Sequence, residues 1–244
     1  MSSPLVSERY FFGRNELVQQ LLRKASVLHQ NIGVFGLRKT GKTSVIFAIK
    51  RMLESQSILS EYFDCQNPGI QGARWWQVLG NISTKLQESV KNTFNKKIDI
   101  IGRYSPDTAG TAFSADIQTL LKTANLNHIS ILMDEIEWIT PQISGLLGRH
   151  WDDDFIPFWQ TIRATHQETQ GKLTFLVAGV NPLCVQRSHF GILPNPIFQL
   201  AIPHYLESFS TMAVREMVRT IGRYAGLKFD ESTYDYLQRT YGGH

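Results

Sequence analysis

The chain has 244 residues, 42% of them hydrophobic and 19% charged, with a formal net charge of +4. That composition fits one large globular domain with a small appendage, and it excludes a disordered chain and a strongly basic arm that grips nucleic acid by charge alone. Two cysteines, Cys65 and Cys184, stand far apart without metal-ligand spacing; this excludes a disulfide framework or zinc site and suits a reducing cytoplasm.

Met1 to Phe12 lacks the basic start and apolar centre of a secretory signal. No apolar stretch approaches the roughly 20 residues that span a bilayer, so no membrane partner is expected. Apolar spacing then predicts, in order, a helix over Glu16–His29, a strand over Asn31–Gly36 and a helix over Lys42–Glu54. A strand over Ser60–Asp64, helices over Trp75–Thr93 and Phe113–Ala124, and a strand over Ile129–Asp134 follow. A helix over Phe155–Glu168, a strand over Leu173–Gly179 and a fifth strand within Ile197–Ile202 complete the alternation. The strands are short, apolar and stopped by Gly or an acid, as strands covered on both faces are. Val45, Ile46, Ile49, Met52 and Leu53 form a helical stripe that reads as core. Pro203 marks a break, after which Thr211–Tyr224 and Ser232–Tyr241 read as two helices without an intervening strand. The expected fold is α/β, with a mostly parallel five-stranded sheet between helical layers. Residues 1–30 form a linker and first helix, 31–206 the core, and 207–244 a partial helical lid. Gly242-Gly243-His244 reads as a turn leading into further chain.

Gly36-Leu37-Arg38-Lys39-Thr40-Gly41-Lys42-Thr43 fills the pattern G-x-x-x-x-G-K-[ST], with an apolar strand before it and an amphipathic helix from Lys42 and Ser44 onward. Glycines let consecutive N–H groups point inward at phosphate oxygens, and the helix end adds partial positive charge. Lys42 would reach the β- and γ-phosphates, and the Thr43 hydroxyl would complete a magnesium shell. The predicted ligand is a nucleoside triphosphate with Mg2+.

A P-loop needs a second acid on a neighbouring strand, and Ile129–Asp134 followed by Glu135 supplies it. Asp134 is placed to hold the metal, and Glu135 to orient and deprotonate the attacking water. Glu137 reads as structural or solvated.

With these motifs in hand, the chain resembles the AAA+/STAND class of P-loop ATPases, which implies a five-stranded sandwich followed by a helical lid. Phe11-Phe12-Gly13-Arg14-Asn15-Glu16-Leu17 resembles the F-x-G-R-x-x-E-L element of the class; the resemblance places Phe12, Gly13 and Arg14 near the adenine. Leu176–Pro182 resembles the strand that ends in a sensor beside the γ-phosphate, with Asn181 as sensor, although Asn before Pro is also a turn residue. Many STAND proteins carry arginine at that position, so the sensor follows the AAA+ style. Asn195–Leu200 fits the approach to the last strand, and Leu237–His244 the start of the lid. For an arginine acting in trans, the resemblance points to Arg187, with Arg149 and Arg163 as alternatives. ATP over GTP rests on the resemblance and on the lack of an N-K-x-D guanine-reading motif.

Three functions follow. The leading one is an ATP-driven switch in a larger signalling or defence-type protein, which self-associates into a homo-oligomer on nucleotide binding and works beside sensor or effector domains. The second is a nucleic-acid-associated motor or loader, for which Lys96-Lys97 with Arg103-Tyr104 is the only aromatic-interleaved basic segment. The third is a nucleotide-bound scaffold without turnover, against which the full set of Lys42, Thr43, Asp134 and Glu135 argues.

Overall fold

The computed structural model describes residues 11–243. Most of the Met1–Phe12 start, and His244 of the closing turn, lie outside the described residues. The elements run α1 (Asn15–Ser26), β1 (Asn31–Phe35), α2 (Lys42–Ser55), β2 (Leu59–Asp64), α3 (Pro68–Gln71), α4 (Trp75–Phe94), α5 (Ala109–Ala124) and β3 (Ile129–Asp134). A 3-10 turn (Ile136–Ile139) follows, then α6 (Trp151–Glu168), β4 (Leu173–Gly179), α7 (Leu183–Gln186), β5 (His189–Phe190), β6 (Leu193–Pro194), β7 (Ala201–Tyr205), α8 (Thr211–Tyr224) and α9 (Glu231–Tyr241). Five strands form one sheet in the order β2-β3-β4-β1-β7, and every pairing in it is parallel. β5 and β6 make a separate antiparallel hairpin.

Side chains alternate across the strands, so each strand feeds two cores. Ile129, Ile131 and Met133 of β3, with Phe175 and Val177 of β4, pack under α4, α5 and α6. Leu132 of β3, Leu176 and Ala178 of β4, and Ile32 and Val34 of β1 face α1 and α2. Trp159 sits in the larger core with its ring centre 4.9 Å from that of Phe175 and 5.1 Å from that of Phe158. Gly33 has no side chain because the Phe35 ring fills that space; an added Cβ would come within 2.5 Å of it.

Several boundaries differ from the sequence expectation, including the end of α1 at Ser26. The fifth strand is β7, Ala201–Tyr205, rather than a segment ending at Ile202, and Pro203 lies inside it opposite Gly33. β7 is an edge strand, where proline's missing N–H costs no ladder bond on the open side. α6 begins at Trp151, a turn before Phe155, because Asp152, Asp153 and Asp154 occupy its first turn, where carboxylates favour the helix end. Buried Asp154 accepts from Arg74 Nε at 2.7 Å, Arg74 Nη2 at 2.8 Å and the Trp75 amide at 3.1 Å, which ties α6 to the start of α4. α5 likewise starts early, at Ala109. Among the described residues, no helix is long and apolar enough to cross a membrane.

At the opposite end of the sheet from the acidic turn, His128 is only 2% exposed and stacks on His29 with ring centres 4.9 Å apart. Its Nε2 lies 2.7 Å from Thr174 Oγ1, while its Nδ1 is buried without a partner. Burial first, and the charges of His29 and His166 after it, push its pKa down to about 4. The unfolded chain therefore takes up this proton near pH 6.5 and the native chain only near 4, so stability is full above pH 6.5 and falls between those values. In urea unfolding across that window His128 should contribute a loss of about 3 kcal/mol, and His128→Asn should remove that contribution.

Candidate functional site

The loop between β1 and α2 turns on two left-handed residues, Lys39 at φ 66° and Gly41 at φ 92°. Gly41 meets this need without strain, and no atom lies within 4 Å of where its Cβ would stand. Leu37, Arg38 and Lys39 are exposed, while Thr40 is buried and its hydroxyl donates to Leu37 O at 2.9 Å. Lys42, at the first position of α2, is buried, and its Nζ donates to Gly36 O at 3.0 Å and Leu37 O at 2.9 Å. The ammonium thus sits inside the loop. Thr43 Oγ1 donates to Asp134 Oδ2 at 2.6 Å, across the end of β4.

β3 stops at Asp134 because Glu135 is left-handed, at φ 52°, and turns the chain into the 3-10 segment. Asp134 Oδ1 accepts from the Glu135 amide at 2.9 Å, and Tyr62 Oη approaches Oδ2 at 3.4 Å. Burial pushes the Asp134 carboxyl up, against the lowering effects of Thr43, the Glu135 amide and Lys42. Glu135 is also raised, by burial first and then by the neighbouring carboxylate of Glu137. A hydroxyl and a carboxylate meeting at the end of a cationic loop are hard oxygen donors of the kind magnesium takes, and a divalent cation there would favour the ionised acid.

Glu137 is the site residue that the sequence left aside. Its two carboxylate oxygens each accept from the Val180 amide at 3.2 Å, at the end of β4. Gly36 N donates to Gly179 O at 3.3 Å, so the phosphate loop and the acidic turn both abut that strand end. The available sequence signals were the second acid after Asp134 and the glycine closing β4.

Asn181 is exposed beyond β4, with Oδ1 accepting from the Leu183 amide at 3.0 Å; in this arrangement its oxygen caps a turn. Arg187 is exposed, donates to Gln142 Oε1 at 2.7 Å and lies over the Phe190 ring, apart from the Lys42–Asp134 cluster. Arg149 is exposed, and Arg163 donates to Pro196 O at 3.2 Å. In the Phe12-Gly13-Arg14 element, Arg14 Nη2 donates to Thr40 O at 3.3 Å and to Glu207 O at 2.7 Å, and its guanidinium lies 4.6 Å from the Phe209 ring centre. Gly13, at φ 66°, packs so tightly on Ala213 and Phe209 that a Cβ would stand 2.6 Å from Ala213 Cβ. Arg14 is therefore a brace between the phosphate loop and the segment leading to α8. Tyr104 is half-buried with its ring against Gly80, and its hydroxyl donates to Asp116 at 2.7 Å and pairs with Ser83 at 2.6 Å. Lys96 caps the end of α5 by donating to Ala124 O at 3.1 Å.

No protein-family model matches the chain, and no curated protein does. Solved structures do. The Aeropyrum pernix Orc1 protein in complex with DNA aligns with a TM-score of 0.54 at 18% identity, over 90% of this chain and 51% of that one. Domain III of the Thermotoga maritima replication initiation protein DnaA gives 0.51 at 13% identity, over 96% of this chain and 80% of that one. The AMPPCP-bound DnaA from Aquifex aeolicus gives 0.50 at 13%, over 96% of this chain and 61% of that one. The fold is shared with these Orc1 and DnaA structures. At these identities the likeness is one of fold, and the chain spans about half the length of the Orc1 structure.

The Arg14 brace can be tested by itself. Arg14→Ala should cost about 2 kcal/mol in urea unfolding, for two charge-assisted bonds and a stacked ring. Arg14→Lys should recover less than half of that loss, because a point charge cannot both bridge the two carbonyls and stack.

Proposed function

We propose that this chain is an ATP-binding and ATP-hydrolysing AAA+ module that works in association with nucleic acid. The observation that carries the first part is the Thr43–Asp134 contact at 2.6 Å beside Lys42, which joins a phosphate-loop hydroxyl to a strand-end carboxylate. In this reading Lys42 leaves the loop carbonyls for the β- and γ-phosphates, and the loop amides hold the remaining phosphate oxygens. Thr43 and Asp134 hold magnesium, which when bound neutralises charge on the phosphates. Glu135 accepts a proton from water while the water oxygen bonds to the γ-phosphorus, and the bond to the β–γ bridging oxygen breaks. The Arg14–Phe209 brace gives the phosphate loop a route to α8, so a nucleotide would set the position of the lid. Self-association, with Arg187 offered to a neighbouring copy, belongs to the same reading.

The nucleic-acid part is supported by a structure of the same fold solved in complex with DNA, the Orc1 protein. That support favours the second of the three functions over a signalling switch. In the basic segment expected to touch nucleic acid, Tyr104 is bonded within the fold, while Lys96, Lys97 and Arg103 remain exposed.

Phosphate release from ATP should be measurable for the native chain, and Glu135→Gln should reduce it at least 100-fold while leaving ATP affinity within about threefold. Turnover by Glu135→Gln at the native rate would remove Glu135 from this role. Fluorescence anisotropy with short duplex and single-stranded DNA should show ATP-dependent binding that weakens steeply with salt. No binding at low salt would return the signalling switch to the lead.

A further inference from the structure

β4 outruns β3. The last residue pair between them is Met133 with Val177, and β3 ends one residue later. On that side the Val180 amide has no strand to bond to, and the Glu137 carboxylate takes the place of the missing strand with both oxygens. The fit is close, since a Cβ on Gly179 would overlap Glu137 Oε2 and stand 3.0 Å from Ile136 Cγ2. On its other side Gly179 is tied to the phosphate loop through Gly36 N. Three pieces therefore meet at one glycine: the loop that bears Lys42, the acidic turn that bears Glu135, and the segment that bears Asn181.

We propose that Glu137 is a positioning residue for ATP hydrolysis, pinning the Gly179–Asn181 segment to the acidic turn so that Glu135 and Asn181 are held in one frame beside the phosphate loop. This rests on the ATPase reading above. A carboxylate is suited to the task because it accepts from a backbone amide at two points, and charge-assisted bonds of this kind resist loosening. Glu137 acts through the Val180 amide and so positions other groups. Its loss should leave the loop and its ligand contacts in place while letting the reacting groups drift, and a displacement of about 1 Å costs on the order of 100-fold in rate.

The test compares native, Glu137→Ala, Glu137→Gln and Gly179→Ala chains in ATP hydrolysis, ATP binding and amide hydrogen exchange of Val180. Glu137→Ala should lower kcat by about 10- to 100-fold with ATP affinity within twofold. Glu137→Gln, whose amide oxygen still accepts from Val180, should restore at least half of the native kcat. Gly179→Ala, which displaces the carboxylate, should reproduce the alanine defect. In the nucleotide-free chain, Val180 exchange should rise at least tenfold in Glu137→Ala. Native kcat in Glu137→Ala would overturn the proposal, as would a glutamine variant as slow as the alanine one or loss of ATP affinity in step with kcat. If the native chain binds ATP without releasing phosphate, the hydrolytic reading fails by itself. Unchanged Val180 exchange in Glu137→Ala then overturns the pinning as well, and faster exchange sustains it.

Discussion

Thr43, on the helix that follows β1, reaches Asp134 of β3 at 2.6 Å across the end of β4, the one strand between β1 and β3. The parallel order β2-β3-β4-β1-β7 places the carboxyl ends of β1, β4 and β3 side by side. Open α/β sheets bind ligands outside the carboxyl ends of their strands, where connections diverge. Here the divergence is supplied by two left-handed residues, Gly41 in the phosphate loop and Glu135 after β3. Gly41 opens α2 and Glu135 closes β3, and the two turns set polar atoms beside the end of β4.

The same constraint explains the electrostatics. Asp134 and Glu135 are both raised, chiefly by burial, and Glu137 adds like charge to Glu135. Lys42 opposes both shifts from within the loop. In the proposed reading, buried Asp134 and half-buried Glu135 around the Lys42 ammonium would receive a ligand that brings both phosphate and a divalent cation, since the cation favours the acids' ionised forms and the phosphates draw the lysine out. Arg14 extends this arrangement outward, because its guanidinium is engaged by the phosphate loop at Thr40 and by the chain at Glu207.

What the sequence made legible was local. The phosphate loop, the run Ile129–Asp134 and the stripe of α2 are each set by neighbours within a few residues, and the structure places them as the spacing requires. β7 was displaced because an edge strand tolerates Pro203, which a central strand would not. Glu137 was opaque for a different reason: its partner is the Val180 amide, 43 residues on, and the two meet only because β3 stops short. Arg14 is the extreme case, with one bond to a residue 193 positions away. Tyr104 looked like an interleaved aromatic and is instead bonded to Ser83 and Asp116, a pairing visible only once α4 and α5 are packed together.

Lys42, Thr43 and Asp134 are proposed to form a single site for ATP and magnesium. Isothermal titration of the chain with ATP, in magnesium and again in excess chelator, tests it most directly when Lys42→Ala is titrated alongside. One-to-one saturable binding is expected in magnesium, with clear weakening in chelator and no measurable binding by Lys42→Ala. Absence of heat in the native chain, or binding by Lys42→Ala equal to native, would contradict it.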